Sequence, residues 1–184
     1  VPQMRSVASA VDIADSRIQQ ERIEADDYFK LYINGVFVAQ GPPPSYPNRY
    51  YYMEIDVTDF LKDGDNTFAV HTYYQGLINR VWVSGDLRSM LWCELLLDEK
   101  IGLVSDESWL TATHTGYSAC GVFGYETAFA ERYDSTAKEV GFEKESFDDS
   151  KWEVAHVYKN ADYIATRYNL TTKAGEGVEY SFDH

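Results

Sequence analysis

Apolar and polar positions alternate along this chain in short runs, and Gly, Pro, Asn or Asp ends each run before it reaches helical length. Tyr28 to Ala39 (YFKLYINGVFVA) has strand-type residues on both sides of Asn34-Gly35, the dipeptide that supplies the positive φ angles of a type I′ turn. The segment therefore predicts a β-hairpin. In Gly41 to Pro47 (GPPPSYP) each proline fixes φ and removes a donor, which predicts an extended surface loop presenting Tyr46. Strand character returns over Tyr50 to Val57. Asp56 to Phe60 and Lys62 to Asn66 (KDGDN) then read as a capped turn and a glycine turn feeding a strand over Thr67 to Tyr74.

Gln75 to Ser89 interrupts this pattern with Gly, Asn, Arg and Trp. Met90 to Leu97 is a nearly continuous apolar run, which predicts a central strand covered on both faces. Ile101 to Val104, Ser108 to Thr113 and Tyr125 to Arg132 read as further strands, and Phe147 to Trp152 as a turn into a last strand near Val154 to Tyr158. Ser6 to Ala14 is short and mixed, and the charged stretch Asp15 to Asp27 is open between a loop and a helical turn. Strands spaced by roughly 8 to 12 residues with turns between them predict an all-β fold, an antiparallel β-sandwich of jelly-roll type. Residues 1–27 form a lead-in strand and loop and residues 28–159 the sandwich. Residues 160–184 are polar and Gly-bearing, a linker or the edge of a following domain.

Composition narrows the choice of partner. The 184 residues, 45% hydrophobic and 25% charged, suit one globular domain. A formal charge of −14 repels phosphate backbones and anionic lipid, so nucleic acid and membrane are excluded as partners and a neutral ligand fits better. No run approaches the roughly 20 apolar residues of a membrane span, and the N-terminus lacks the pattern of a signal peptide. The compartment stays open. Cys93 and Cys120 make no disulfide framework and no CxxC spacing, and Cys93, inside an apolar run, is expected as a buried thiol. Fifteen tyrosines and four tryptophans are the kind of side chain on which sugar rings stack, although strand aromatics also fill cores.

The richest chemistry lies between Tyr74 and Arg88, where rings (Tyr74, Trp82), amides (Gln75, Asn79) and charged groups (Arg80, Asp86, Arg88) surround glycines. Such a mixture suits a polyol, with a ring for stacking and bidentate groups for vicinal hydroxyls. The competing reading puts Trp82 in the core and pairs Arg80 and Arg88 with Asp86 and Glu126. Tyr46 and the Tyr50-Tyr51-Tyr52 run supply further ring candidates. A glycosidase needs two carboxylates about 5 to 10 Å apart. Asp86, Glu126, Glu131 and Asp134 are the nearest candidates, but among 30 acidic residues such groupings arise by chance, and no catalytic residue is assigned. His71, His114 and His156 have neither a nucleophile elbow nor HxH or HExxH spacing, so no acyl-transfer triad and no metal site are expected. Asp63, Asp65 and Asn66 lack the spacing of an EF-hand and read as turn chemistry. Trp109 and Trp152 are expected in the core.

The segment LYINGVFV (Leu31 to Val38) followed by IDVTDFLKDGDNTFAV (Ile55 to Val70) resembles the sugar-binding β-sandwiches attached to glycoside hydrolases. YYQGLINRVWVSGD (Tyr73 to Asp86), DESW (Asp106 to Trp109), GYETAFAERYD (Gly124 to Asp134) and FDDSKWEVA (Phe147 to Ala155) are similar, in order and spacing, to the N-terminal domain of bacterial α-L-rhamnosidases of glycoside hydrolase family 78. The resemblance spans roughly Tyr28 to Val157. It implies a galactose-binding-domain-like jelly roll placed ahead of an (α/α)6 barrel that holds the catalytic carboxylates and is missing from these residues. The implied role is non-catalytic recognition of rhamnose-containing glycans, or else packing against the other domains of the parent enzyme. Either a cytoplasmic or a secreted bacterial setting agrees with it. Some related modules bind rhamnose through calcium. Where they place an acid and an asparagine before the strand leading into the DVT turn, this chain has Pro47-Asn48, so Asn48 alone carries over and no cofactor is assigned. The carbohydrate-binding candidates are Tyr46, Asn48, Tyr74, Asn79, Arg80, Trp82, Asp86, Arg88 and Glu126.

Overall fold

The computed structural model describes residues 3–13, 19–42, 49–50, 52–75, 90–124, 128–157, 168–173 and 177–182. Its first strands are β1 (Gln3–Ile13), β2 (Gln19–Asp26), β3 (Tyr28–Ile33), β4 (Val36–Gly41), β5 (Arg49–Tyr50), β6 (Met53–Asp56) and β7 (Gly64–Tyr74). There follow β8 (Met90–Leu97), β9 (Lys100–Val104), β10 (Leu110–Thr113), β11 (Tyr117–Phe123), β12 (Ala128–Tyr133), β13 (Glu153–Val154), β14 (Tyr168–Lys173) and β15 (Gly177–Phe182). The helical structure among the described residues is a 3-10 turn at Thr58–Phe60. The chain is therefore an all-β sandwich, as its pattern of short runs predicts.

A six-stranded sheet runs in the order β13-β10-β1-β7-β3-β4 and faces a four-stranded sheet ordered β6-β2-β8-β9. Neighbours pair antiparallel throughout. The core between the sheets takes Phe29, Leu31 and Ile33 from β3, Phe68 and Val70 from β7, Ile23 and Ala25 from β2, and Cys93 and Leu95 from β8. Alternation sends the intervening residues of each strand to the other face. Trp109 closes the core at zero exposure, its indole nitrogen donating to Val104 O at 2.8 Å. Trp152 is half-buried at the rim, edge-on to Phe147.

The strands differ from the sequence reading in several places, among them an unexpected β11. The charged stretch before Asp27 carries β2, an interior strand paired with β6 and β8, rather than a loop or helical turn. β1 is long and lies in the middle of the larger sheet, between β7 and β10. Met90 to Leu97 alternates instead of burying both faces: Cys93 and Leu95 are buried while Trp92, Glu94 and Leu96 on the other face are half-exposed. Near the C-terminus β14 and β15 form a hairpin whose second strand pairs with β5.

The hairpin expected at Asn34-Gly35 is present, with φ of 51° and 79°. The Asp-x-Ser/Thr pieces of the sequence share one turn chemistry. Asp56 Oδ1 accepts from the backbone and hydroxyl of Thr58 at 3.0 and 2.7 Å, and Asp134 Oδ1 does the same for Thr136 at 2.9 and 2.7 Å. Asp106 and Asp148 accept from the backbone of Ser108 and Ser150. These carboxylates shape turns. Asp134, weighed above as an acid of a catalytic pair, is one of them.

Candidate functional site

The chain passes between the two sheets at Asp27, and this corner is tightly built. Asp27 N donates to Tyr73 O at 2.9 Å, and its carboxylate accepts the backbone N–H of Gln75 at 2.6 Å. Asp27 and Gln75 are both buried. A charged acceptor on a backbone donor is among the stronger hydrogen bonds, so the corner is firmly held at the end of β7. Among the described residues Gln75 Oε1 is buried without a hydrogen-bond partner.

Beside the corner, pairing of β3 with β7 sets Tyr28 opposite Tyr73. Their rings stack, 6.4 Å between centroids and 16° between planes. Both belong to the face of the large sheet turned away from the core, together with Lys30, Tyr32 and His71, because Phe29, Leu31 and Val70 point inward. The β11–β12 hairpin and the turns that follow it cover part of this face. Tyr117 and Phe142 lie 5.1 and 5.8 Å from His71 between ring centroids, and Tyr117 packs on Tyr133 at 4.7 Å.

Five phenols, those of Tyr28, Tyr32, Tyr73, Tyr117 and Tyr133, thus line one surface, with Tyr133 half-exposed. Glu131 stands among them, exposed, on β12. Burial pushes the Tyr73 hydroxyl up to about 12, and the charges of Glu131 and Asp27 add to that. Burial, Tyr133 and then Glu131 also raise Tyr117. The phenols of Tyr28, Tyr32, Tyr73 and Tyr117, all raised chiefly by burial, therefore stay neutral hydrogen-bond donors and acceptors over the physiological range. Ring faces beside neutral hydroxyls, an exposed carboxylate and the Lys30 ammonium make up the mixed apolar and polar surface that a sugar requires.

Deeper in this layer His71 and His114 lie 5.2 Å apart between ring centroids, both buried. Burial holds His71 down to about 3, with help from His114 and Lys30, so its ring is neutral. His114 Nδ1 accepts from Gly116 N at 3.2 Å, and Glu139 Oε2 accepts from the hydroxyl and backbone of Thr115 at 2.6 and 3.0 Å. No nucleophile stands against either histidine among the described residues, and the groups here tie the covering turns to the sheet. No grouping of three or more His, Cys, Asp or Glu able to hold a metal occurs among the described residues.

Of the residues singled out by sequence, Tyr74 is at the end of β7, 8% exposed on the core-facing side. Its neighbour Tyr73 takes the opposite face of the sheet. Tyr46, Asn48, Asn79, Arg80, Trp82, Asp86, Arg88 and Glu126 lie outside the described residues. The sequence reading missed Asp27, Tyr28 and Tyr73. Their signal was a phase, since Tyr28 and Tyr73 meet only once the β3–β7 register is known.

Three comparisons bear on this arrangement. The profile of the family described as alpha-L-rhamnosidase N-terminal domain matches residues 22–172. An alpha-L-rhamnosidase of Formosa agariphila is 26% identical over 161 residues, which cover 80% of this chain and 16% of that protein. The GH78 family rhamnosidase of Bacillus sp. GL1 superposes with a TM-score of 0.79 at 24% identity, over 89% of this chain and 18% of its own. A lectin from Pleurotus ostreatus in complex with GalNAc superposes with a TM-score of 0.52 at 18% identity, over 85% of this chain and 38% of its own. At these identities the two superpositions speak to the fold alone. The chain spans about a sixth of the length of the rhamnosidases it matches.

Proposed function

The chain belongs to the alpha-L-rhamnosidase N-terminal domain family, and from that premise we propose that it serves an α-L-rhamnosidase as a non-catalytic domain that helps to recognise rhamnose-containing glycans. The observation that carries the reading is the stacked Tyr28–Tyr73 pair with Glu131 beside it, at the root of the segment 76–89. A deoxyhexose offers an apolar C–H face to a ring and hydroxyls to a carboxylate and phenols, and both kinds of group are present. The fold likeness to a lectin in complex with GalNAc agrees with it.

Titration calorimetry with L-rhamnose, with and without calcium, tests the reading. We expect a saturable heat at millimolar sugar, the range in which a small shallow site binds. A flat trace under both conditions would remove carbohydrate recognition by this domain.

A second reading, attachment to another domain of the parent enzyme, is favoured by the outer face of the four-stranded sheet. There Leu96 pairs with Ile101, which is 64% exposed, and Val104 lies beside Glu94. Arg22 is held between Glu54 and Glu94 at 2.9 and 3.0 Å. An apolar strip bordered by an ordered ion-pair group has the make-up of an interdomain contact.

A further inference from the structure

A carboxyl faces the core of the sandwich. Glu21 of β2 has zero exposure, faces inward between Ile23 and the residues before it, and sits opposite Leu95 of β8. Among the described residues no nitrogen or oxygen donor reaches either of its oxygens, and the weak Cys93 thiol is the donor beside them. The six-stranded sheet contributes Phe29, Leu31, Ile33, Phe68 and Val70 to the same core, none of which donates a hydrogen bond from its side chain.

The groups that act on Glu21 are few. The Cys93 thiol, a weak donor on β8, leans on the carboxyl, and Glu94 of the same strand adds a repulsive charge from the outer face. Arg22, next in sequence, points outward and is occupied by Glu54 and Glu94. Cys93 is itself linked onward, its backbone N–H donating to Ser105 Oγ at 3.1 Å while Ser105 N donates to Cys93 O at 3.0 Å. Glu21, Cys93 and Ser105 thus form a polar thread through an apolar layer, from β2 across β8 to the end of β9.

An ionised carboxylate with only a weak thiol donor beside it in such surroundings is costly to keep buried, whereas a neutral one costs far less. We propose that Glu21 is a proton-operated latch: its carboxyl is neutral in the closed sandwich, and its ionisation in mild alkali loosens the four-stranded sheet and uncovers the Cys93 thiol. Burial, which outweighs the opposing effect of Cys93, places this transition at about 8. The latch is independent of the sugar-binding reading.

The two cysteines give the test an internal reference. Cys120 is exposed on β11 and Cys93 is buried. The chain is labelled with iodoacetamide between about pH 6 and about pH 9, and the ratio of Cys93 to Cys120 modification is read by peptide mass spectrometry. The expected result is a ratio that climbs by at least roughly tenfold across this range, the change that accompanies one pH unit of titration. In Glu21→Gln the ratio stays flat, because the neutral amide cannot ionise. Superimposable ratios for the two proteins overturn the latch. If Glu21→Gln fails to fold, the unsubstituted chain with isotope-labelled glutamate decides by infrared spectroscopy. A protonated glutamate carbonyl band at pH 7 that vanishes by about pH 9 supports the proposal, and fully ionised glutamates at pH 7 overturn it.

Discussion

The side-chain amide of Asn34 donates to Oδ1 of Asn66 at 2.8 Å, and this bond joins the tip of the β3–β4 hairpin to the glycine turn before β7. Asn34 also donates to Phe60 O at 3.0 Å and accepts from Thr67 N at 3.0 Å. Asn66, fully buried, accepts from Lys62 N at 2.9 Å and donates to Lys62 O and Gly64 O at 2.7 and 2.8 Å. The two sequence motifs that first mark the chain, around Asn34-Gly35 and Lys62 to Asn66, are thus the halves of a single hydrogen-bonded joint. It accounts for the fixed turn at Asn66 through backbone groups and amides.

Asn66→Ala strands four partners at once in a part-buried joint. Leaving such groups unmade costs roughly 1–3 kcal/mol each at most, with partial recovery by relaxation. The expected loss is about 3 kcal/mol, read as a lower urea midpoint with an unchanged slope. In a double-mutant cycle with Asn34→Ala the two losses should fall short of additivity, because each substitution already breaks the shared bond.

The sequence reveals what depends on local chemistry and hides what depends on register. Asn34-Gly35 announces its hairpin because few dipeptides tolerate two positive φ angles in succession. β2 stays hidden because Glu21 breaks the inward apolar period of Ile23 and Ala25, so the strand looks charged throughout. β1 is hidden by its small residues: the Ala-Ser-Ala of Ala8 to Ala10 has weak strand preference, and its place is set by pairing with β7 and β10. At the candidate site, sequence brings attention to Tyr74 but cannot tell which face of β7 it takes. A shift of one residue exchanges Tyr74 for Tyr73, and only the pairing with β3 settles the phase.

Trp109 has no exposed surface, and its nitrogen donates to Val104 O while its own carbonyl accepts from Ala155 N at 2.8 Å. Trp109→Ala should cost roughly 3–5 kcal/mol through the cavity it leaves. Trp109→Phe keeps most of the ring and loses the bond to Val104 O, for an expected cost of about 1–3 kcal/mol. Thermal unfolding followed by near-ultraviolet circular dichroism would order the three proteins. Equal melting of Trp109→Phe and the unsubstituted chain would show that the indole bond contributes nothing.

His71 gives the stability an acid limb. Its ring is held at about 3 in the folded chain against an ordinary value of 6.5, chiefly by burial. Above pH 6.5 both folded and unfolded chains carry it neutral, and its packing is fully favourable. As the pH falls from 6.5 towards 3 the unfolded chain takes up a proton that the folded one refuses, so stability declines by up to roughly 1.4 kcal/mol per pH unit. Burial lowers His114 as well, and it adds in the same direction. His71→Phe, surrounded by Tyr117, Phe142 and His114, should flatten this limb. Urea midpoints at several pH values between about 4 and 7 are the check, and an unaltered slope in His71→Phe would assign the acid limb to other groups.

The Tyr28–Tyr73 surface separates sugar recognition from stability. Both rings are half-buried, and Glu131 is exposed, so removing the carboxylate should leave the fold nearly untouched. If a rhamnoside stacks on Tyr73 while its hydroxyls reach Glu131, Glu131→Gln should weaken binding about tenfold, the value of one charge-assisted hydrogen bond, with a melting temperature within a few degrees of the original. Tyr73→Ala removes the stacking face and the neighbour of Tyr28, and should abolish detectable binding at a moderate cost in stability. Tyr73→Phe keeps the face and loses only the hydroxyl, so it should retain most of the affinity. Sugar titrations on the three variants distinguish a stacking site from mere proximity, because a site elsewhere on the domain would leave all three affinities equal. Equal affinities would point instead to the candidates singled out in the sequence, with Trp82 and Asp86 the next substitutions to make.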